Sequence, residues 1–413
     1  MRTLVKNIKL LINTELVART RVQGSEMSHL DNIANAFLII ADDTIEAFGS
    51  MSDPRLNVEH FDREIDASGR MVMPSFCDSH THLVYAGSRE IEYVDKIRGL
   101  SYEEIAQRGG GILNSALRVQ QASEQELYDD AMLRIAQMTK LGTGAVEIKS
   151  GYGMTVEAEM KMLRVVRHIK ETAPLVVRAT LLGAHGIPLE YRGRQEAFVD
   201  LVVDRMIPQA ADEGLADFID VFCDRGFFTV AETERMLEAG AKHGMRAKIH
   251  ANELACSGGI QCAVKWNALS CDHLEYTGAD EIAALQGSAT MPTILPGAAF
   301  FLNMPFAPAR TMIDAGLGVA MASDCNPGSS PSVNMQLILS MACINYRLLP
   351  EEAINATTLN TAYAMGVSHM AGSIAVGKKA NFFITKPVPT LEYLPYSYGE
   401  NKVERAFLNG KEQ

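Results

Sequence analysis

Five histidines and one aspartate carry the strongest chemical signal in this chain: His80, His82, His185, His250, His273 and Asp324. Each falls at the end of a short apolar or β-branched run, where a side chain can reach a ligand. His80 and His82 form an H-T-H pair. Strand side chains repeat every two residues, so both imidazoles leave one face while Thr81 points the other way, into strand–helix packing. Two neutral imidazoles with a third histidine and a carboxylate make a suitable site for Zn2+ or Fe2+. His250 and Asp324 are the expected remaining protein ligands. A bare H-x-H is weak evidence, whereas six such residues on one rim are hard to attribute to chance.

The elements that must position them read as parallel strands covered by helices. Eight apolar segments, MVMPSFCDSH, GAVEIKS, LVVRATLLGAH, FIDVFC, MRAKIHAN, ALSCDHLEY, ATMPTIL and GVAMASD, span residues 71–325. Between them lie amphipathic patterns such as EQELYDDAMLRIAQMTKLG, VEAEMKMLRVVRHIKETA and VAETERMLEAGAKHG, several ending in a C-capping glycine. The alternation predicts an α/β fold, a (β/α)8 TIM-like barrel whose C-terminal strand ends gather the six residues on one face. No G-x-G-x-x-G follows the first strand, which argues against a doubly wound dinucleotide fold. Gly109 to Gly111 lack the Lys and Ser/Thr of a phosphate loop and read as a flexible loop. Short alternating segments at both ends (LVKNIKLLIN, AFLIIADDTIEAFG, NFFITK, VERAFLNGK) predict a small β-sandwich built from residues 1–70 and 361–413 around a barrel at 71–360.

Composition narrows the function classes. With 47% apolar and 21% charged residues among 413, the chain is an ordinary globular one. Thirty-eight Lys plus Arg against 50 Asp plus Glu leave a net charge of −12, which argues against a nucleic-acid or anionic-membrane surface. The most apolar stretch, 291–308, contains four prolines, and MRTLVKNIKLL lacks the core and cleavage site of a signal peptide. A soluble, cytoplasmic protein is the expectation. Seven cysteines, Cys77, Cys223, Cys256, Cys262, Cys271, Cys325 and Cys343, form no C-x-x-C pair and read as buried or partly buried free thiols.

MPSFCDSHTHLVYAG resembles the first metal-binding strand of the amidohydrolase superfamily. More narrowly, HTHLVYAGSRE, SYEEIAQRGGGI, EIKSGYG, LLGAH, FIDVFC, KIHANE, CDHLEY and SDCNPGSSP resemble the imidazolonepropionase family of histidine degradation. The resemblance covers nearly the whole barrel. It implies a metal-dependent hydrolase that opens the ring of 4-imidazolone-5-propanoate to N-formimidoyl-L-glutamate, and a homodimer. A deaminase of an N-heterocycle uses much the same ligand pattern and stands as the alternative, ahead of a barrel without catalysis. Some superfamily members bridge two metals with a carboxylated lysine ending the fourth strand. Here that strand ends in Cys223 and Asp224, so one divalent or trivalent ion per subunit, zinc or iron, is expected. Lys149, on the second strand, then reads as a helix-side or substrate-rim lysine.

The same resemblance implies roles. Asp324 orients a water and receives its proton; His273 polarises the carbonyl, with Asp272 fixing its tautomer or salt-bridging to a helix. Glu253, three residues beyond His250, shuttles protons or holds a ring nitrogen, and His185 touches the substrate. The substrate's carboxylate needs a basic exception within an acidic protein. Arg89 is the expected clamp, with an ion pair to Glu90 or Glu92 as its other reading. Tyr152 lies beside the same pocket. Asn326, Gly328 and Ser329 follow Asp324, and backbone amides in such a turn suit an oxygen anion. Asn252 and Cys325 depart from the family pattern within the pocket, and Asn381 departs from it outside.

Overall fold

A computed structural model describes residues 1–100 and 110–413. Most of SYEEIAQRGGGI, including Gly109, therefore lies outside the described residues. Eight strands run parallel in sequential order: β1 (Phe76–Thr81), β2 (Thr143–Lys149), β3 (Val176–Ala184), β4 (Phe218–Cys223), β5 (Arg246–Ala251), β6 (Ser270–His273), β7 (Met291–Ile294) and β8 (Ala320–Met321). The sheet closes on itself just beyond β8. The His82 N–H donates to the Cys325 carbonyl at 2.8 Å and the Asp324 N–H to the His80 carbonyl at 3.0 Å. The buried Asp78 accepts from Ser323 N–H at 2.9 Å and from its hydroxyl at 2.6 Å, fastening the same seam. This is the barrel expected from the alternation.

Local chemistry explains the helices between the strands. Glu124–Lys140 and Val230–Lys242 each start with a capping box, Ser123 with Glu126 and Thr229 with Glu232. Reciprocal bonds there satisfy amides that a helix start leaves orphaned. The first of these helices buries Leu127, Ala131, Ile135 and Met138, the one-sided spacing that lays a helix against a sheet.

Two strand boundaries differ from the sequence reading. MVMPSFCDSH is not one strand, because Met71–Pro74 pairs with Arg2–Leu11 and Phe382–Thr385 and the chain enters the barrel only after Ser75. Pro74 cannot donate a ladder bond, which suits a strand end. GVAMASD keeps ladder pairing to β7 at Ala320 and Met321 only; beyond it the backbone turns, with φ of 52° at Asp324.

Both ends of the chain meet in a second sheet. Lys411–Glu412, Val403–Leu408, Phe382–Thr385, Met71–Pro74, Arg2–Leu11, Ile33–Ala41 and Thr44–Ser50 neighbour one another in that order, and Arg63–Asp66 also pairs with Arg2–Leu11. Its core gathers Val5, Ile8, Leu38, Ile40, Phe382 and Phe407, the last two rings stacked at 4.7 Å. All seven cysteines are free thiols, but Cys256 is exposed rather than buried, on a loop past β5. Among the described residues, no helix is long and apolar enough to cross a membrane.

Candidate metal centre and active site

Strand alternation turns Asp78 and His80 of the first strand, and His82 just past its end, into the barrel, where all are buried. Thr81, on the other face, donates to the Glu147 carbonyl at 2.6 Å. β5 delivers His250 to the same place, and ring nitrogens of His80, His82 and His250 lie within 4.8 Å of one another. Asp324, just past β8, brings Oδ1 to 3.6 Å from His80 Nε2 and 3.7 Å from His82 Nε2. The four expected ligands are thus gathered from β1, β5 and the loop after β8.

Each imidazole is held from behind. His80 Nδ1 lies 2.6 Å from Asp272 Oδ2, His250 Nδ1 lies 2.9 Å from Asp220 Oδ2, and His82 Nδ1 lies 3.4 Å from the Ser150 carbonyl. For His80 and His82 an acceptor at Nδ1 keeps the proton there and leaves the Nε2 lone pair facing inward. His80 Nε2 and both ring nitrogens of His250 are buried and have no hydrogen-bond partner, Asp220 approaching His250 Nδ1 as an ion-pair neighbour only. Burial, reinforced by Lys149 near His80 and by His185 near His82, holds both rings well below the usual histidine pKa and so neutral. Unpartnered buried lone pairs converging on one point are costly unless an electrophile takes them. Three nitrogens and a carboxylate oxygen fit a divalent ion.

Around this centre stand the acid–base groups. His273 ends β6 with φ of 85°, a left-handed conformation that few non-glycine residues adopt outside functional sites. Its Nε2 is 3.5 Å from Glu253 Oε2 and its Nδ1 3.6 Å from Glu275 Oε2. Burial opposes charge on the ring, yet the two carboxylates outweigh it and push His273 up to about 10, an imidazolium. Burial lifts the Glu253 carboxyl to about 7 against the pull of His273. His185 stacks on His82 at 5.0 Å with ring planes 9° apart, and Tyr152 meets both rings edge-on. Gly151, at φ of 111°, makes this stack possible, because a Cβ there would stand 2.9 Å from His185 Nδ1.

Arg89 lies on the rim. Its guanidinium bonds Glu92 Oε2 at 2.7 Å through Nε, so the alternative ion pair exists, and it also packs against Gly328. A cavity of about 260 Å3 opens there between Tyr85, Arg89, Tyr93, Lys96, Phe301 and Gly328. Lys96 donates to the Gly328 carbonyl at 3.3 Å, making a second cation in that wall.

Three sequence expectations need correction. The amides of Gly328 and Ser329 are not free for an anion: both donate to Asn326 Oδ1 at 2.8 Å, which closes the turn on itself. The Ser329 hydroxyl reaches toward the centre, 3.3 Å from Asp324 Oδ2, and the Asn326 side-chain amide donates to the Asp324 carbonyl at 2.7 Å. Asp272 orients His80 rather than His273, because it projects into the interior beside the first strand. Lys149 is neither helix-side nor on the rim. It is buried inside the barrel, 2.6 Å from Glu147 Oε1 and 2.8 Å from Asp220 Oδ2.

Sequence reasoning passed over Asp220, Glu147 and Lys248. Their signal was available: each is a charged residue two positions from another inward-facing residue in an otherwise apolar strand. Asn252, with φ of 56°, donates to the Tyr276 carbonyl at 2.8 Å, a left-handed position that asparagine tolerates.

Comparison with known proteins adds the family. The amidohydrolase family model matches residues 71–412. Proteins named imidazolonepropionase from Flavobacterium johnsoniae and Christiangramia forsetii are each 50% identical to this chain over 412 residues, covering 100% of both partners. Escherichia coli guanine deaminase superposes with a TM-score of 0.73 at 15% identity, covering 100% of this chain and 99% of that one, which is a likeness of fold.

Proposed function

The chain belongs to the imidazolonepropionases of the amidohydrolase family, and from that membership we propose that it hydrolyses 4-imidazolone-5-propanoate to N-formimidoyl-L-glutamate in histidine degradation. His80, His82, His250 and Asp324 would hold one metal ion, zinc or iron, since imidazole and carboxylate donors accept either. Such an ion supplies a water acidic enough to act as nucleophile near neutral pH.

The remaining steps belong to the side chains. Asp324, its Oδ2 steadied by the Ser329 hydroxyl, would orient a water toward the ring carbonyl carbon and accept its proton. The His273 imidazolium donates to the carbonyl oxygen as negative charge grows there. When the carbonyl C–N bond breaks, its electron pair stays on the ring nitrogen, which takes up a proton. Glu253, held at about 7, can give or take that proton at working pH. Arg89 binds the propionate, while His185 and Tyr152 shape the wall against the ring.

The observation that carries this reading is full-length 50% identity to named imidazolonepropionases, on a chain whose expected ligands converge on one buried point. The deaminase alternative rests on likenesses of 15–18% identity, which speak for the barrel and not for the substrate. A direct assay of imidazolone ring opening, paired with elemental analysis of the purified protein, tests the proposal. N-formimidoyl-L-glutamate formed by a protein retaining one equivalent of metal is the expected result. Ammonia release from a purine or from cytosine, with imidazolone propionate untouched, would overturn it.

A further inference from the structure

Lys149 is one of the largest fully buried side chains in the molecule, and the chemistry described above does not use it. A lysine is almost never fully buried unless paired. Its ammonium faces three carboxylates: Glu147 Oε1 at 2.6 Å, Asp220 Oδ2 at 2.8 Å and Asp272 Oδ2 at 3.7 Å. The identity of the oxygens matters. Asp220 Oδ2 is the atom that meets His250 Nδ1, and Asp272 Oδ2 is the atom that meets His80 Nδ1. Each oxygen therefore stands between the same ammonium and a different imidazole.

We propose that Lys149 is a positioning residue of the metal centre, tying together the two carboxylates that aim His80 and His250. The inference rests on the reading of those histidines as metal ligands. In this arrangement the two rings are not oriented independently. Asp220 is pinned at one oxygen by Lys149, while its other oxygen accepts the His250 backbone N–H at 3.1 Å. Asp272 accepts from the Ser270 hydroxyl at 2.5 Å through Oδ1, and its Oδ2 faces His80, Lys149 and, at 4.0 Å, Lys248. Removing the ammonium leaves neighbouring carboxylates to repel one another in a dry interior, where such repulsion is little screened. They rotate apart, and both Nε2 lone pairs swing off the common point. Lys248, the other lysine buried inside the barrel, approaches Asp272 but forms no ion pair with Asp220, so it does not join the two carboxylates. It bonds Glu147 and the Ser79 and Ala364 carbonyls, and lies 4.0 Å from Asp272.

The test compares wild-type protein with Lys149→Met and Lys149→Gln. Each is stripped of metal and titrated with Zn2+ against a chromophoric chelator. Support for a ligand from its outer partners is commonly worth about 10- to 100-fold in metal affinity, and a loss in that range is expected in both variants. Nitrogen-15 spectra of histidine-labelled, metal-free protein supply a readout that a merely structural role would not move. The His80 and His250 ring signals shift, while His82, held by the Ser150 carbonyl, keeps its own. Lys149→Gln removes the charge but keeps a hydrogen-bond donor, so it decides the matter if Lys149→Met does not fold. Affinity within about twofold of wild type in a folded variant, or an equal shift of all three histidines, would overturn the proposal. Failure of wild-type protein to bind Zn2+ at all would instead overturn the ligand assignment.

Discussion

Gly328→Ala isolates what Arg89 does. A methyl at Gly328 would stand 3.1 Å from Arg89 Cζ and closer still to Nη1. Non-bonded contacts settle near 3.5–4.0 Å, so the guanidinium must retreat by about 1 Å or more to clear Nη1. It can do so, because it is the end of a flexible side chain, and Gly328 is not among the residues with a left-handed φ. Stability should therefore stay within about 0.5 kcal/mol of wild type, as for an ordinary surface substitution. Binding should not. A hydrogen bond to a charged group is worth about 1.5–3 kcal/mol, and losing half of one is about 4- to 12-fold in affinity. Steady-state kinetics should show KM for imidazolone propionate raised about 4- to 12-fold, with kcat and metal content retained. An analogue without the propionate carboxylate should be processed equally by both proteins. An unchanged KM, or an equal loss on that analogue, would refute the clamp role of Arg89.

Other substitutions separate the remaining groups. His80→Ala should lose metal and activity together, measured by elemental analysis beside the ring-opening assay. His273→Gln should lower kcat by about 10²- to 10³-fold, as loss of an oxyanion donor does, with metal content preserved; loss of metal instead would make it a ligand. His273 also links stability to pH. Its pKa is raised from 6.5 to about 10, so its contribution is fully present below 6.5 and is lost as pH rises through about 10. Denaturant unfolding should thus show the gap between wild type and His273→Gln closing from pH 6 to pH 10.5. Gly151→Ala should destabilise by about 1–2 kcal/mol through its backbone alone, and should displace His185 from His82, seen as a changed His185 signal in nitrogen-15 spectra.

The barrel was legible because its cues are local. Capping residues such as Ser123 with Glu126 mark helix starts, and β-branched runs mark the strands. The candidate ligands were legible for the same reason, since His80, His82, His250 and Asp324 sit at the ends of recognisable strands. What pairs with what was not. Asp272 lies one residue from His273 in sequence but bonds His80, 192 positions away, because neighbouring side chains on a strand face opposite ways. Lys149 was misread because both faces of a barrel strand are covered, so polarity alone does not say which side a charge takes. The Gly328 and Ser329 amides looked available because a turn's internal bonding, here to Asn326, cannot be read from composition.

The sheet shared by both ends bears on how the molecule is made. The strand at Arg2–Leu11 is flanked by Met71–Pro74, which needs Phe382–Thr385 on its far side, which in turn needs Val403–Leu408. During synthesis the first strand leaves the ribosome with only its near neighbours, and the other half of its sheet arrives after the whole barrel. Pairings of such sequence separation form late. Until then Met71–Pro74 keeps an unpaired edge, the kind of surface that invites mispairing and draws chaperones. Pairing of Phe382–Thr385 and Val403–Leu408, not completion of the barrel, is the event that finishes this sheet.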